Sequence, residues 1–314
     1  MIAKPSGRDR PGALGAIGNT PVVRLSRIVE PDMAEVWVKL ESDNPTGSYK
    51  DRMALAMIEG AEASGRLAPG QTVVEYTGGS TGSSLALVCA IKGYPLRIVS
   101  SDAFAEEKVL TMRAFGATVE IIHSPDGITP ELIPRMRARA AEVAADTGGY
   151  QTDQFNNHDM VDGYEPLGDE MADQLDGRLD AYVGFVGTGG CFLGVTRALR
   201  RRIPQFERIV VEPAESAVLS GGKPGTHRIE GGGAGFVPPQ LSPDDWDGVE
   251  AVSTADAIAM ARRAARAEGL WSGPSTGANL VAALRVARRL GPSARVATVL
   301  VDSGLKYLGG EVYR

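Results

Sequence analysis

Ala181-Tyr182-Val183-Gly184-Phe185-Val186-Gly187-Thr188-Gly189-Gly190-Cys191 is the stretch that decides the fold. Its first six residues form a short apolar run that leads into Gly187 and reads as a buried strand. Gly187 to Cys191 then form a glycine-dense loop, and residues 192–201 continue as a helix. Backbone amides at a helix N-terminus suit a dianionic phosphate without a basic side chain. The same order occurs earlier: strand 71–75, then Thr77-Gly78-Gly79-Ser80-Thr81-Gly82, then helix 83–90. The 77–82 loop does not end in the Lys-Ser/Thr of a nucleotide P-loop, and its spacing is not Gly-x-Gly-x-x-Gly. An ordinary strand-to-helix loop is the bland alternative. Six consecutive Gly, Ser and Thr residues weigh against it.

Outward from these two units, strands and helices alternate. Strands are expected at 22–25, 36–40, 96–100, 118–122, 208–212 and 296–301. Helices are expected from the Lys50 region to about Ala63, and at 105–115, 130–145, 166–174, 254–268 and from Ala278 to about Leu290. Such alternation implies an α/β fold with parallel sheets covered by helices. Residues 1–16 read as an arm. Residues 150–157 read as a polar segment crossing between two lobes. The glycine clusters at 221–225 and 231–236 either bend a segment at a cleft rim or simply make loops.

Composition bounds the partners. The 33 basic and 39 acidic residues give a net charge of −6, which argues against nucleic acid as the main partner. Arg200-Arg201-Arg202, Arg262-Arg263 and Arg288-Arg289 lie on expected helices and read as solvated faces. Two cysteines, Cys89 and Cys191, allow no disulfide framework, and three scattered histidines make no zinc signature, so no metal is expected. No apolar run spans a bilayer, and the polar start from Met1 to Arg10 lacks the core of a signal peptide. Together these point to a reducing cytoplasm.

A second chemical feature is Asn44-Pro45-Thr46-Gly47-Ser48-Tyr49-Lys50-Asp51-Arg52. The turn at Asn44-Pro45 leads into a helix that Thr46 or Ser48 can cap, with Lys50 near its start. Read alone, Lys50 is a solvated helix residue. Beside two anion cradles it gains another meaning, because lysine forms Schiff bases with carbonyl cofactors. In open parallel sheets ligands bind at the C-terminal ends of strands, where all these loops lie. A phosphate cradle with a Schiff-base lysine is what pyridoxal 5'-phosphate requires.

These residues resemble the cysteine synthase and cystathionine β-synthase family of fold-type II pyridoxal-phosphate enzymes, from about Gly18 to Tyr307. The resemblance rests on Gly18-Asn19-Thr20-Pro21, Asn44-Pro45-x-x-Ser48-x-Lys50-Asp51-Arg52, Gly187-Thr188-Gly189-Gly190, Gly225-x-His227-x-Ile229-x-Gly231-x-Gly233-Ala234-Gly235-Phe236 and Asp302-Ser303-Gly304-x-x-Tyr307. It implies a two-domain, tryptophan synthase β-like fold. Residues 44–156, with 1–20, would form the smaller domain, and 157–314, with 21–43, the larger. Lys50 would bond covalently to the cofactor aldehyde. Gly187, Thr188, Gly189, Gly190 and Cys191 would hold its phosphate, Ser275 its ring nitrogen, and Ser80 would touch its ring. Thr77, Gly78, Gly79, Ser80 and Thr81 would grip the substrate α-carboxylate, with Gln154. Ser275 taken alone also reads as a helix N-cap, and the two roles can coexist.

The implied reaction is β-replacement on an activated serine, O-acetylserine-like, by sulfide or another thiol, in a homodimer. The alternative in the same fold is a β-eliminating lyase: a cysteine desulfhydrase, or a serine or threonine deaminase. Lys50-Asp51-Arg52 ends as in synthases, against the deaminases. A binding protein that keeps the cofactor without turnover is the rival from another class. Two departures bear on substrate choice. The family's loop usually reads Thr-Ser-Gly-Asn-Thr-Gly, so Gly78 removes a hydroxyl and Ser80 replaces an amide. Cys191 stands where threonine is usual.

Overall fold

A computed structural model describes residues 10, 12–125, 127, 129 and 131–314. The expectations for Met1 to Asp9, Pro11 and the helix start at Pro130 lie outside the described residues. The chain divides into two compact units, Met1–Asn19 with Asn44–Gly163, and Thr20–Asp43 with Tyr164–Arg314.

The first unit holds β3 (Val73–Tyr76), β4 (Leu96–Ser101), β5 (Thr118–Ile122) and β6 (Tyr150–Gln151), which follow β1 and β2 in the chain. They form an all-parallel sheet in the order β5-β4-β3-β6. Its helices are α1 (Lys50–Ala63), α2 (Ser80–Lys92), α3 (Glu106–Ala114) and α4 (Leu132–Thr147). Val74, Tyr76 and Val99 of the sheet pack on Leu132, Met136, Ala140 and Val143 of α4, the i, i+4, i+8, i+11 stripe of an amphipathic helix. The segment expected to cross between lobes supplies β6 and belongs to this unit. The division falls inside α5 (Asp159–Gln174), at Gly163. Gly163 is there because an added Cβ would lie 2.9 Å from Arg52 O of α1.

The second unit holds β1 (Val22–Arg24), β2 (Glu35–Leu40), β7 (Ala181–Phe185), β8 (Glu207–Pro213), β9 (Gly248–Val252) and β10 (Arg295–Leu300). Their order is β1-β2-β10-β7-β8-β9, parallel except for β1 at the edge. With it go α6 (Gly190–Arg202), α7 (Thr254–Glu268) and α8 (Pro274–Leu290). Ala278, Ala282, Ala283 and Val286 of α8 meet Val36, Val183, Val211 and Val296 of the sheet, so small side chains bring this helix close to its strands. A buried lysine interrupts the apolar pattern of β2: the Lys39 ammonium meets Glu170 at 2.7 Å, Thr20 O at 2.6 Å and Gln174 Oε1 at 2.9 Å. Each of its three protons has an acceptor, which is what a buried charge demands.

Several expectations change. Strand β9 was not foreseen, being short and half-buried at a sheet edge. Helix α2 starts at Ser80 rather than Ser83, and α6 at Gly190 rather than Phe192, so both loops are shorter and their last residues are helical. The arginine groups are not simply solvated. Arg201 pairs with Glu165 and Asp169, and Arg202 with Asp173. Arg262 donates to the carbonyls of Glu311, Val312 and Arg314.

Candidate active site

In the first unit the Lys50 stretch is held by a carboxylate as well as by one of the two expected hydroxyls, that of Ser48. The residue before α1 is Tyr49, with no side-chain cap. Thr46 instead donates through N (2.8 Å) and Oγ1 to Asp51, which is fully buried, while Lys50 N donates to Ser48 Oγ at 3.2 Å. A carboxylate in the first helical turn also suits the dipole there. Asn44 Oδ1 accepts from Gly18 N at 2.9 Å, which joins two of the motifs read from the sequence. Lys50 is buried at 6% exposure, with Nζ 4.6 Å from the Tyr49 ring centroid. A desolvated amine over an aromatic face is held as a directed group.

The Lys50 stretch also touches α2, into which the 77–82 loop runs. Thr46 Oγ1 is 3.3 Å from Ser84 Oγ of α2. Strand β3 is buried throughout and delivers Thr77, whose N donates to Val99 O at 3.0 Å and whose Oγ1 accepts from Gly79 N at 3.1 Å. Gly79 precedes α2 without a side-chain cap, and Ser80 and Thr81 form its first turn. Helix-start amides carry partial positive charge, the match for a carboxylate. Thr81 Oγ1 donates to Gln154 Oε1 at 2.9 Å, which puts Gln154 of the 150–157 segment on this loop. An added Cβ at Gly78 would lie 2.3 Å from two atoms of the Phe104 ring. The hydroxyl lost at Gly78 is thus replaced in space by an aromatic ring.

In the second unit β7 runs into Gly187, and α6 begins at Gly190 after Gly189, whose φ of 86° is left-handed. Thr188 and Gly190 are buried, and Cys191 sits in the first turn of α6. An added Cβ at Gly187 would lie 2.4 Å from Gly231 O, and one at Gly189 would lie 2.9 Å from Leu241 Cγ. The loop therefore needs glycine for close approach as well as conformation. The glycine cluster at 231–236, left open in the sequence, backs the loop: Gly233 N donates to Val186 O at 3.1 Å. His227 fastens it, with Nε2 donating to Gly233 O at 2.8 Å and Nδ1 accepting from Ile229 N at 3.2 Å.

Ser275 lies on the other side of the same peptide: an added Cβ at Gly231 would lie 3.9 Å from Ser275 Oγ. The structure thus brings both Gly187, the first residue of the loop, and Ser275 against Gly231. Ser275 does not cap α8. Gly273 holds the cap position, and Ser275 is the second helical residue. Its Oγ is buried, at 1% exposure, without a hydrogen-bond partner among the described residues. Tyr307 donates to Asp302 Oδ2 at 2.8 Å, and both pack on Gly273, where an added Cβ would lie 2.4 Å from the Tyr307 ring. This contact gives the Asp302–Tyr307 motif its place at the start of α8. Thr276 Oγ1 accepts from Val301 N at 3.0 Å, tying that start to the end of β10. Among the described residues no group of three or more His, Cys, Asp or Glu is placed to hold a metal, and no helix is long and apolar enough to cross a membrane.

The second unit thus carries a glycine loop at a helix start near a buried serine hydroxyl, and the first unit carries a buried lysine. The chain belongs to the pyridoxal-phosphate dependent enzymes, whose family model matches residues 13–302. Its cofactor is pyridoxal 5'-phosphate. Among its relatives is the cysteine synthase of Staphylococcus aureus (strain Mu50 / ATCC 700699), 40% identical over 299 residues that span 95% of each chain. Among solved structures, O-ureido-L-serine synthase superposes with a TM-score of 0.91 at 33% identity, over 97% of this chain and 95% of that one. The O-acetylserine dependent cystathionine beta-synthase from Helicobacter pylori does so with a TM-score of 0.89 at 36% identity, over the whole of both chains.

Proposed function

We propose that this enzyme carries out β-replacement on an activated serine, taking sulfide or another thiol as nucleophile and forming cysteine or a related amino acid. The observation that carries this reading is the buried hydroxyl of Ser275 beside the glycine cradle. A hydroxyl leaves a pyridine nitrogen largely neutral, where a carboxylate would keep it protonated. That favours departure of a β-substituent over transamination.

Bound pyridoxal phosphate supplies the electron sink that makes the substrate α-proton removable. The chain supplies the rest. Gly187 to Cys191 hold the phosphate through helix-start amides and Ser275 orients the ring. Ser80 would touch the ring. Lys50 Nζ would be the covalent anchor, and its amine would take the α-proton as general base. Thr77 to Thr81, with Gln154, would bind the substrate α-carboxylate. A homodimer in the cytoplasm fits the resemblance and two cysteines that form no disulfide. Size-exclusion chromatography with light scattering tests the dimer.

Gly78 is the feature that favours β-elimination as a second reading, since it withdraws a hydroxyl from the carboxylate grip. The test is product analysis of the holoenzyme with O-acetylserine, with and without sulfide, and with cysteine alone. Sulfide-dependent formation of cysteine supports replacement. Sulfide and keto acid released from cysteine, with no synthesis from O-acetylserine, would overturn it in favour of the lyase.

A further inference from the structure

The first unit buries a carboxylate that the proposed chemistry does not use. Glu75 lies on β3, fully buried, two residues before Thr77. Its Oε1 accepts from Tyr76 N at 2.8 Å, and its Oε2 from Thr152 Oγ1 at 2.6 Å and Gln154 N at 3.2 Å. Among the described residues no cation pairs with it. A buried carboxylate held by neutral donors alone carries a large desolvation cost, and such groups persist where they organise something.

What it organises is the turn at Thr152-Asp153-Gln154. Asp153 has a φ of 46°, a left-handed conformation that an aspartate adopts at some cost. The donors on either side of that residue both point to Glu75. Gln154 is then fixed at its side chain, with Nε2 donating to Tyr76 O at 3.3 Å and Oε1 accepting from Thr81 Oγ1. Contacts therefore run from Glu75 through the turn to Gln154 and on to the first turn of α2.

We propose that Glu75 is a positioning residue, whose carboxylate holds the 152–154 turn so that Gln154 and Thr81 meet the substrate α-carboxylate in one fixed arrangement. This rests on the reading of Thr77 to Thr81 and Gln154 as the carboxylate grip. Three acceptor contacts suit an ionised carboxylate. Protonation turns one oxygen into a donor facing other donors, so the turn loosens. Burial is the main cause that raises the Glu75 carboxyl to about 7, with the charge of Asp153 adding to it and the bonds from Thr152, Tyr76 and Gln154 opposing it. The other titratable groups facing it are the Tyr76 and Tyr150 phenols, both raised chiefly by burial, with Arg137 of α4 acting on Tyr76. The switch thus falls within the range of an ordinary assay.

The test is steady-state kinetics of the holoenzyme from about pH 6 to about pH 9, for wild type, Glu75→Gln and Glu75→Asp. The wild-type KM for the amino acid should rise on the acid side with a midpoint near 7, while kcat changes little. Glu75→Gln should raise KM about tenfold at the alkaline end, by analogy with the loss of one buried hydrogen bond, and remove that midpoint. Glu75→Asp, which keeps the charge, should recover part of the loss and retain a midpoint. The substrate amine titrates alike with all three proteins, so the difference between profiles isolates Glu75. Cofactor absorbance should be unchanged throughout. If Glu75→Gln keeps the wild-type KM and pH profile, the positioning role is wrong. If Glu75→Gln does not fold, a wild-type KM without an acid limb, or Glu75→Asp without one, overturns it equally. Thr81→Val separates the two readings: unchanged KM there refutes the carboxylate grip itself, whereas raised KM with an inert Glu75 refutes only this proposal.

Discussion

Replacing Ser275 by alanine should stabilise the protein without cofactor and leave it level with wild type when cofactor is bound. The Ser275 hydroxyl is buried at 1% exposure and has no partner among the described residues. A buried hydroxyl left unpaired costs about 1–3 kcal/mol, and alanine removes that cost. At the second position of α8, alanine is also the better helix former by a few tenths of a kcal/mol. Cofactor-free Ser275→Ala should therefore be more stable than cofactor-free wild type. For a domain of this size each kcal/mol raises Tm by roughly 2–4 °C. With pyridoxal phosphate bound, the wild-type hydroxyl acquires an acceptor and its cost disappears, while the variant gains nothing. Cofactor affinity should fall by the same amount, between about fivefold and about a hundredfold. Thermal denaturation of both proteins in both states, with a fluorescence titration of cofactor, measures every leg of this cycle. If the variant melts below wild type without cofactor, Ser275 supports the fold and its assignment to the ring nitrogen is wrong.

Gly187→Ala places a methyl 2.4 Å from Gly231 O, between two backbone segments that cannot yield cheaply. It should cost about 1–3 kcal/mol of stability and much of the cofactor occupancy, read from the absorbance per protein; full occupancy would count against the loop. Gly78→Ser should lower activity because its Cβ meets the Phe104 ring, and Phe104→Ala in the same protein should restore it. An inactive double variant shows that the ring is not the obstacle. Burial raises the Glu75 carboxyl from its ordinary 4.5 to about 7, so folding favours its protonated form. That contribution is complete below 4.5 and is lost as pH rises through about 7, on the order of 3 kcal/mol at 1.36 kcal/mol per pH unit. Urea denaturation should show wild type losing stability relative to Glu75→Gln between these limits, and parallel pH profiles would refute the assignment.

What was legible in the sequence was what depends on local pattern. Helix α1 runs from Lys50 to Ala63, as read, because its start and its apolar spacing are both written in neighbouring residues. The two strand-loop-helix cradles were visible for the same reason. The helix starts at Ser80 and Gly190 were not, because serine and glycine are weak helix formers and tertiary packing overrides them. The cap at Lys50 was assigned to hydroxyls, of which Ser48 supplies one, but Asp51 also reaches back to Thr46, a choice between adjacent oxygens that spacing does not settle. Gly231 was only one glycine in a loop until the structure set it between Gly187 and Ser275, a contact across more than forty residues in each direction. Glu75 was passed over as part of a strand. Its signal was present, since a charged side chain in an otherwise apolar run is the residue whose burial needs a reason.

The order of strands in the second unit has a consequence for how the chain is made. All four strands of the first unit lie between Val73 and Gln151, so that sheet can close while the rest is still being synthesised. The second sheet cannot. Its strand β10 is the last in the chain, yet it sits between β2, near the beginning, and β7. Until Arg295–Leu300 leaves the ribosome, β2 and β7 have no strand to join them and their apolar faces stay open to solvent. The glycine loop at the end of β7 thus waits for β10, whereas the lysine helix does not. A ribosome stalled before Arg295 would hold a first sheet already closed and a second one still lacking its central strand.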